Sequence, residues 1–132
     1  MFKLEIKKIS LSEVRKGTYI LIDNEPCKVI DVSMSKTGKH GHTKFRILAV
    51  GLFDNRKRDY LTSEHSIDSP IINKSAAQVL SVSGNMANVM DETTYETFDL
   101  EIPDEFKESV VAGINIIYWE VGGKRILQQI KG

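Results

Sequence analysis

At 132 residues, with 41% hydrophobic and 27% charged side chains, the chain has apolar material for one domain or two small ones and too much for a disordered tail protein. No apolar run approaches a bilayer span, and the opening MFKLEIKKIS carries Glu5 and three lysines where a secretory signal needs an apolar stretch, so a soluble, cytoplasmic protein without membrane contact is expected. The formal net charge of zero conceals a division: residues 1–60 hold thirteen Lys and Arg against seven Asp and Glu, a balance of +6, while residues 61–132 hold five against eleven, a balance of −6. A basic half seeks phosphate, an acidic half limits indiscriminate adhesion to nucleic acid, and halves of opposite sign also attract each other. Cys27 is the only cysteine, which excludes an intrachain disulfide and a cysteine zinc cluster and suits a small buried side chain in a strand.

Along the chain the dominant period is two, with β-branched and aromatic residues gathered in short runs between turn signals. Thr18–Ile22 and Pro26–Ser33 read as strands joined by a tight turn at Asp23-Asn24. Lys44–Phe53 is the next strand, and Arg58–Thr62 follows a polar turn at Asp54-Asn55. Four or five such strands suffice for a small antiparallel barrel, so residues 1–70 are expected to fold as one unit. Around Ser69, Pro70 and Asn73 the pattern loosens and the charge balance changes sign, which places a domain boundary there, with residues 71–132 forming a second unit. In that unit Gln78–Ser83 and Met86–Asp91 flank Gly84-Asn85 as a hairpin, and Tyr95–Ile102 alternates up to Pro103. A short helix capped by Asp104 and running through Val111 to Gly113 follows. Asn115–Val121 and Lys124–Ile130 then pair across Gly122-Gly123. Five strands with a helix between the third and fourth predict an OB-type barrel.

The most distinctive segment is Ser35–Lys44, SKTGKHGHTK, which holds three lysines, two histidines and two glycines in a window with no acid between Asp31 and Asp54. It lies between two long strands, so it is predicted to be a hairpin tip that projects positive charge, with Gly38 and Gly41 leaving Lys39 clear of its neighbours. It is no Walker phosphate loop: His40 follows Lys39 where Ser or Thr is required, the upstream glycine is missing, and no helix follows to supply a dipole. His40 and His42, alternate residues among cations without a third donor, make a poor zinc site and better suit hydrogen bonding to phosphate or ribose. Nothing resembles a catalytic triad or a paired-carboxylate site; Asp91-Glu92 and Asp104-Glu105 read as turn and helix-start residues, and no enzymatic activity is expected. In the second barrel Phe98, Tyr118 and Trp119 offer rings for stacking bases, with Tyr118 and Trp119 on opposite strand faces, one of them in the core. From the residues alone, a general RNA-binding module with two barrels and an unmodified basic loop is a sufficient reading.

TGKHGH at this position, together with Asn24-Glu25-Pro26-Cys27, Pro70-Ile71-Ile72 and Met90–Phe98 (MDETTYETF), resembles the translation initiation factor 5A family, the hypusine-containing relatives of bacterial elongation factor P. The resemblance extends over nearly the whole chain. It implies an all-β fold, an N-terminal SH3-like barrel followed by an OB-fold with one short helix. It further implies that Lys39 is converted by deoxyhypusine synthase to deoxyhypusine, and in some lineages to hypusine, using the aminobutyl group of spermidine; no other cofactor is implied. The partners implied are the large ribosomal subunit with its rRNA and the peptidyl-tRNA. The modified lysine positions that tRNA and relieves stalling at polyproline, while Lys36, Thr37, Gly38, His40, Gly41, His42, Lys44 and Arg46 form the RNA-contacting loop. Thr43 stands where alanine is common in the family, and the chain looks like the short archaeal form.

Overall fold

A computed structural model describes residues 4–36 and 43–131 of the chain. They divide into two compact units, Leu4–Ile71 and, C-terminal to it, 72–131. Among the described residues all regular structure is strand apart from two single-turn 3-10 helices.

In the first unit β1 (Ile6–Ser10) leads through a 3-10 turn at Leu11–Glu13 to β2 (Tyr19–Ile22), β3 (Glu25–Lys36), β4 (Thr43–Gly51), β5 (Lys57–Thr62) and β6 (Ser66–Pro70). β2, β3, β4 and β5 form one antiparallel sheet in that order, and β1 pairs with β6 in a second. The inward side chains of both make one core, with Leu11, Ile20, Val29, Ile47 and Cys27 almost wholly buried. Each large aliphatic side chain so buried contributes about 1.5–3 kcal/mol relative to exposure. The buried Ser69 hydroxyl donates to the Tyr19 carbonyl at 2.7 Å, tying β6 to β2. Cys27 lies in this core as the sequence suggests; burial pushes its thiol up, and its Sγ–H donates to the Glu25 carbonyl.

The Asp23-Asn24 turn forms where expected, with φ of 51° and 64° at its two residues, the left-handed pair that Asp and Asn tolerate. Strands β1 and β6 were not legible, because Lys7, Lys8 and Asp68 interrupt the alternation that their pairing nonetheless satisfies.

The second unit contains β7 (Asn73–Ser83), β8 (Met86–Asp91), β9 (Thr97–Glu101), β10 (Asn115–Val121) and β11 (Lys124–Lys131), in the sheet order β11-β10-β7-β8-β9. β9 comes back against β11, closing the sheet into the OB arrangement. Arg125 of β11 bridges the closure: its guanidinium donates to Glu120 at 2.9 Å and Glu96 at 2.8 Å, and lies 4.0 Å over the Phe98 ring of β9. The expected hairpin turns at Gly84-Asn85 and Gly122-Gly123 are present.

The helix expected over Asp104–Val111 is realised only as a 3-10 turn at Asp104–Phe106 followed by looser turns. Pro103 precedes it without a side-chain cap, and the Asp104 carboxylate instead pairs with Lys107 at 3.0 Å. Eight residues ending in two valines do not repay helix nucleation, whereas Val110 gains by turning into the barrel core.

Asp91 opens the turn that the sequence assigns to it, and does so as a buried carboxylate. Its Oδ1 accepts the backbone N–H groups of Thr93 and Thr94 at 2.8 and 2.9 Å, and its Oδ2 accepts the Tyr118 hydroxyl at 2.5 Å. The Tyr118 hydroxyl, and then these backbone donors, hold the Asp91 carboxyl below the ordinary carboxylate value; burial first and the hydrogen bond to Asp91 second push Tyr118 up to about 12. Removing the carboxylate leaves buried donors unsatisfied, so Asp91→Ala is expected to cost about 2–4 kcal/mol and Tyr118→Phe about 1–2 kcal/mol. Trp119 is the only tryptophan, so denaturant unfolding followed by its fluorescence reads this unit. A depressed carboxyl stabilises above its unfolded-state value and ceases to as pH falls through the folded-state value. Asp91→Asn should therefore show a shallower acid loss than the native protein.

Candidate nucleic-acid interface

The β3–β4 hairpin carries the basic segment. β3 is twelve residues long and its core contacts end at Val32, so the pairs Ser33↔Arg46, Met34↔Phe45, Ser35↔Lys44 and Lys36↔Thr43 continue the ladder toward the tip. At ~3.3 Å per residue these four pairs make an arm of about 13 Å. Thr37, Gly38, Lys39, His40, Gly41 and His42, the six residues that join Lys36 to Thr43, lie outside the described residues.

Directly paired residues of an antiparallel ladder share a face. Lys44 and Arg46 therefore stand on the outer face, alongside Ser35 and Ser33, while Lys36 stands on the opposite face with Thr43, Met34 and Phe45. The three cations named from sequence at the arm are thus divided between two sides. Arg46 is also not a bare cation: its Nε donates to Asp59 Oδ1 at 3.1 Å and Oδ2 at 3.2 Å, and its Nη2 to Oδ2 at 2.6 Å. This pairing raises the Arg46 pKa and lowers that of Asp59. Lys44 is exposed and forms no ion pair with any described residue. Sequence reasoning passed over Met34, a largely exposed apolar side chain beside Lys36. Its position in the TGKHGH approach was visible, but which face it occupies depends on register.

A β-bulge at Ile30, between the Val29 and Asp31 pairings, sets that register. At the other end of β4, Gly51 faces Cys27. A Cβ on Gly51 would fall 1.8 Å from Asp54 Oδ1. Asp54 accepts the Arg56 N–H at 2.9 Å and both terminal nitrogens of Arg58, at 3.1 and 2.7 Å. Arg58 first, then the Arg56 N–H, holds the Asp54 carboxyl far below the usual carboxylate range.

The aromatic residues of the second unit divide differently from a stacking platform. Tyr118 is in the core and packs edge-on against the half-buried Phe98, with ring centroids 5.0 Å apart. Trp119 faces outward, half-buried, with Lys74 Nζ 4.7 Å from its ring. Among the described residues no group of three His, Cys, Asp or Glu is placed to hold a metal ion, and no helix is long and apolar enough to cross a membrane.

Because Gly51 admits no Cβ without displacing the Asp54 carboxylate, Gly51→Ala should lower the melting temperature of the first unit by about 5–10 °C in differential scanning calorimetry. An unchanged transition would show that the Asp54–Arg58 turn relaxes freely.

Comparison with known proteins agrees with this arrangement. Residues 5–65 match the family model described as translation initiation factor 5A-like, N-terminal. Translation initiation factor 5A of Archaeoglobus fulgidus is 42% identical over 125 residues, covering 94% of this chain and 98% of that protein. That of Korarchaeum cryptofilum is 40% identical over 132 residues, covering 98% of each. Among solved structures, eukaryotic translation initiation factor 5A from Methanococcus jannaschii superposes with a TM-score of 0.88 at 33% identity, covering 96% of this chain and 95% of that one. A translation initiation factor eif-5a family protein from Naegleria fowleri superposes with a TM-score of 0.73 at 27% identity. Likeness of this degree along both units makes this chain a member of the translation initiation factor 5A family, a family of translation factors.

Proposed function

We propose that the protein acts on the ribosome through a covalently extended Lys39 that positions the acceptor end of peptidyl-tRNA and so promotes peptide-bond formation where it stalls, as at polyproline. The observation that supports this reading is the β3–β4 ladder, which runs unbroken from Asp31↔Leu48 to Lys36↔Thr43; in the sequence Lys39 is the third of the six residues that join those two strands. A flexible lysine stem is a point charge with limited reach. Transfer of an aminobutyl group from spermidine to the Lys39 ε-amine, the reaction of a deoxyhypusine synthase, breaks the bond between that group and the secondary nitrogen of spermidine, releases 1,3-diaminopropane, keeps the lysine nitrogen basic, lengthens the arm by four carbons and adds a second amine at its end. An arm with two charges separated along its length spans neighbouring phosphates or ribose oxygens of an RNA terminus.

The chemistry of peptide-bond formation stays with the ribosome. The protein contributes restricted motion of the tRNA end, which raises the fraction of time the reacting groups spend in attacking geometry. Lys44 on one face of the arm and Lys36 on the other are placed to hold RNA on both sides of the hairpin. This bipartite grip fits insertion between RNA segments rather than docking on a flat surface. Such work is done in the cytoplasm, by positioning and not by a catalytic group.

Protein isolated from its native host should carry the aminobutyl mass on the peptide that contains Lys39. Replacing the residue by Lys39→Arg keeps one charge and removes the acceptor amine. In a reconstituted translation system it should lower the rate through consecutive prolines by about 10-fold or more, a size typical of lost positioning, with little effect on messages without them. An unmodified Lys39 in native material would favour a general RNA-binding module instead, and an unchanged polyproline rate for Lys39→Arg would overturn the proposed role.

A further inference from the structure

Charged side chains are ordered along the outer face of the β3–β4–β5 sheet. Nearest the tip, Lys44 is opposite Ser35; next, Arg46 lies between Ser33 and Leu61. The following row places Asp31 and Asp59 on the two sides of Leu48, and the one after it places Lys28 and Lys57 on the two sides of Val50. A nucleic-acid backbone running from the tip down this face would thus cross two basic rows and then meet two carboxylates.

Arg46 stands at that border, diagonal to both acids, and Asp59 takes it. The contact uses the Nε–Nη2 edge of the guanidinium, one of the two forks by which arginine grips a phosphate bidentately. It also cancels the charge that would attract one. Both side chains are about half exposed, and exposed ion pairs add little to stability, so the fold itself does not explain the pairing.

We infer that Asp59 is a specificity-determining residue: by occupying Arg46 it withholds that arginine from phosphate and, with Asp31, ends the nucleic-acid contact surface at the arm. RNA is then held by Lys44 and Lys36, and is not drawn along the sheet toward Lys28 and Lys57. Confining the grip to Lys36 and Lys44 fixes where RNA sits along the arm, since a longer basic track would allow it to slide. This inference rests on the reading that the hairpin meets RNA, and it differs from the sequence expectation in taking Arg46 out of the contact set.

The test uses unmodified full-length protein and a fluorescently labelled RNA stem-loop, with affinity measured between about 50 and 200 mM salt. Asp59→Ala and Asp59→Asn both remove the competing charge. Each should tighten binding about 3- to 10-fold and steepen the slope of log affinity against log salt by about 0.7–0.9, the signature of one further phosphate contact. Arg46→Ala should leave the native slope unchanged and abolish the gain when combined with Asp59→Ala. The inference is overturned if the Asp59 variants bind no better than the native protein, including if none of them binds. It is also overturned if Arg46→Ala alone flattens the native slope, or if the gain survives removal of Arg46. Both positions are exposed, and thermal melting confirms that each variant is folded. The mass of the Lys39 peptide and the polyproline rate do not enter this measurement, so the inference and the proposed function fail separately.

Discussion

The antiparallel register between β3 and β4 is the constraint on which the rest of the first unit depends. Partners across the ladder share a face, so a single alignment decides at once which side chains enter the core and which face water. Cys27↔Gly51, Val29↔Ala49 and Val32↔Ile47 are core pairs; Lys28↔Val50, Asp31↔Leu48 and Ser33↔Arg46 are outward ones. Beyond Val32 the β3 strand itself is exposed, and the last core contact of the same ladder is Phe45 of β4, opposite Met34; the rungs nearer the tip are held by backbone hydrogen bonds and strand pairing. The arm is thus rooted in hydrophobic burial, and its last two rungs, Ser35↔Lys44 and Lys36↔Thr43, are polar.

The two units close by different means. In the first, a serine hydroxyl bonded to a backbone carbonyl joins the two sheets across an otherwise apolar interior. In the second, charge does more of the work: a buried carboxylate gathers a phenol and two backbone donors, and an arginine sandwiched against Phe98 holds two glutamates at the β9–β11 seam. Every polar atom buried in side chains among the described residues has a partner, which low-dielectric interiors demand. The acidic excess of this unit is therefore partly internal, engaged in folding rather than offered to partners.

Turns were legible in the sequence because their chemistry is local. Asp23-Asn24, Gly84-Asn85 and Gly122-Gly123 are residue pairs that accept left-handed backbone, and the runs between them alternate well enough to give most strands. The helix was over-read for the same local reason: an acid after Pro103 and a glycine at 113 imitate caps, while the pull of the barrel on Val110 is a tertiary effect. Contacts across long separations were hidden. Nothing near Asp91 announces Tyr118, twenty-seven positions away, and nothing near Arg46 announces Asp59, thirteen away on another strand. The tip could be recognised by its composition; the sidedness of Lys36, Met34, Lys44 and Arg46 could not, because it depends on one extra residue in β3.

That residue is Ile30. Strand parity runs outward at Lys28, inward at Val29, and after the bulge outward again at Asp31, so Val32 turns in and the arm keeps its two unlike sides. Were Ile30 paired as an ordinary rung instead of being bulged out, the inside and outside of everything between it and the tip would exchange, turning Asp31 and Ser33 toward the core and Val32 toward solvent; removing Ile30 altogether would leave the alternation of Val29 and Asp31 intact. Length variation in such an arm is consequently quantised: changes that preserve its chirality of presentation come as whole cross-strand rungs in twos, and a solitary insertion must be matched by another bulge.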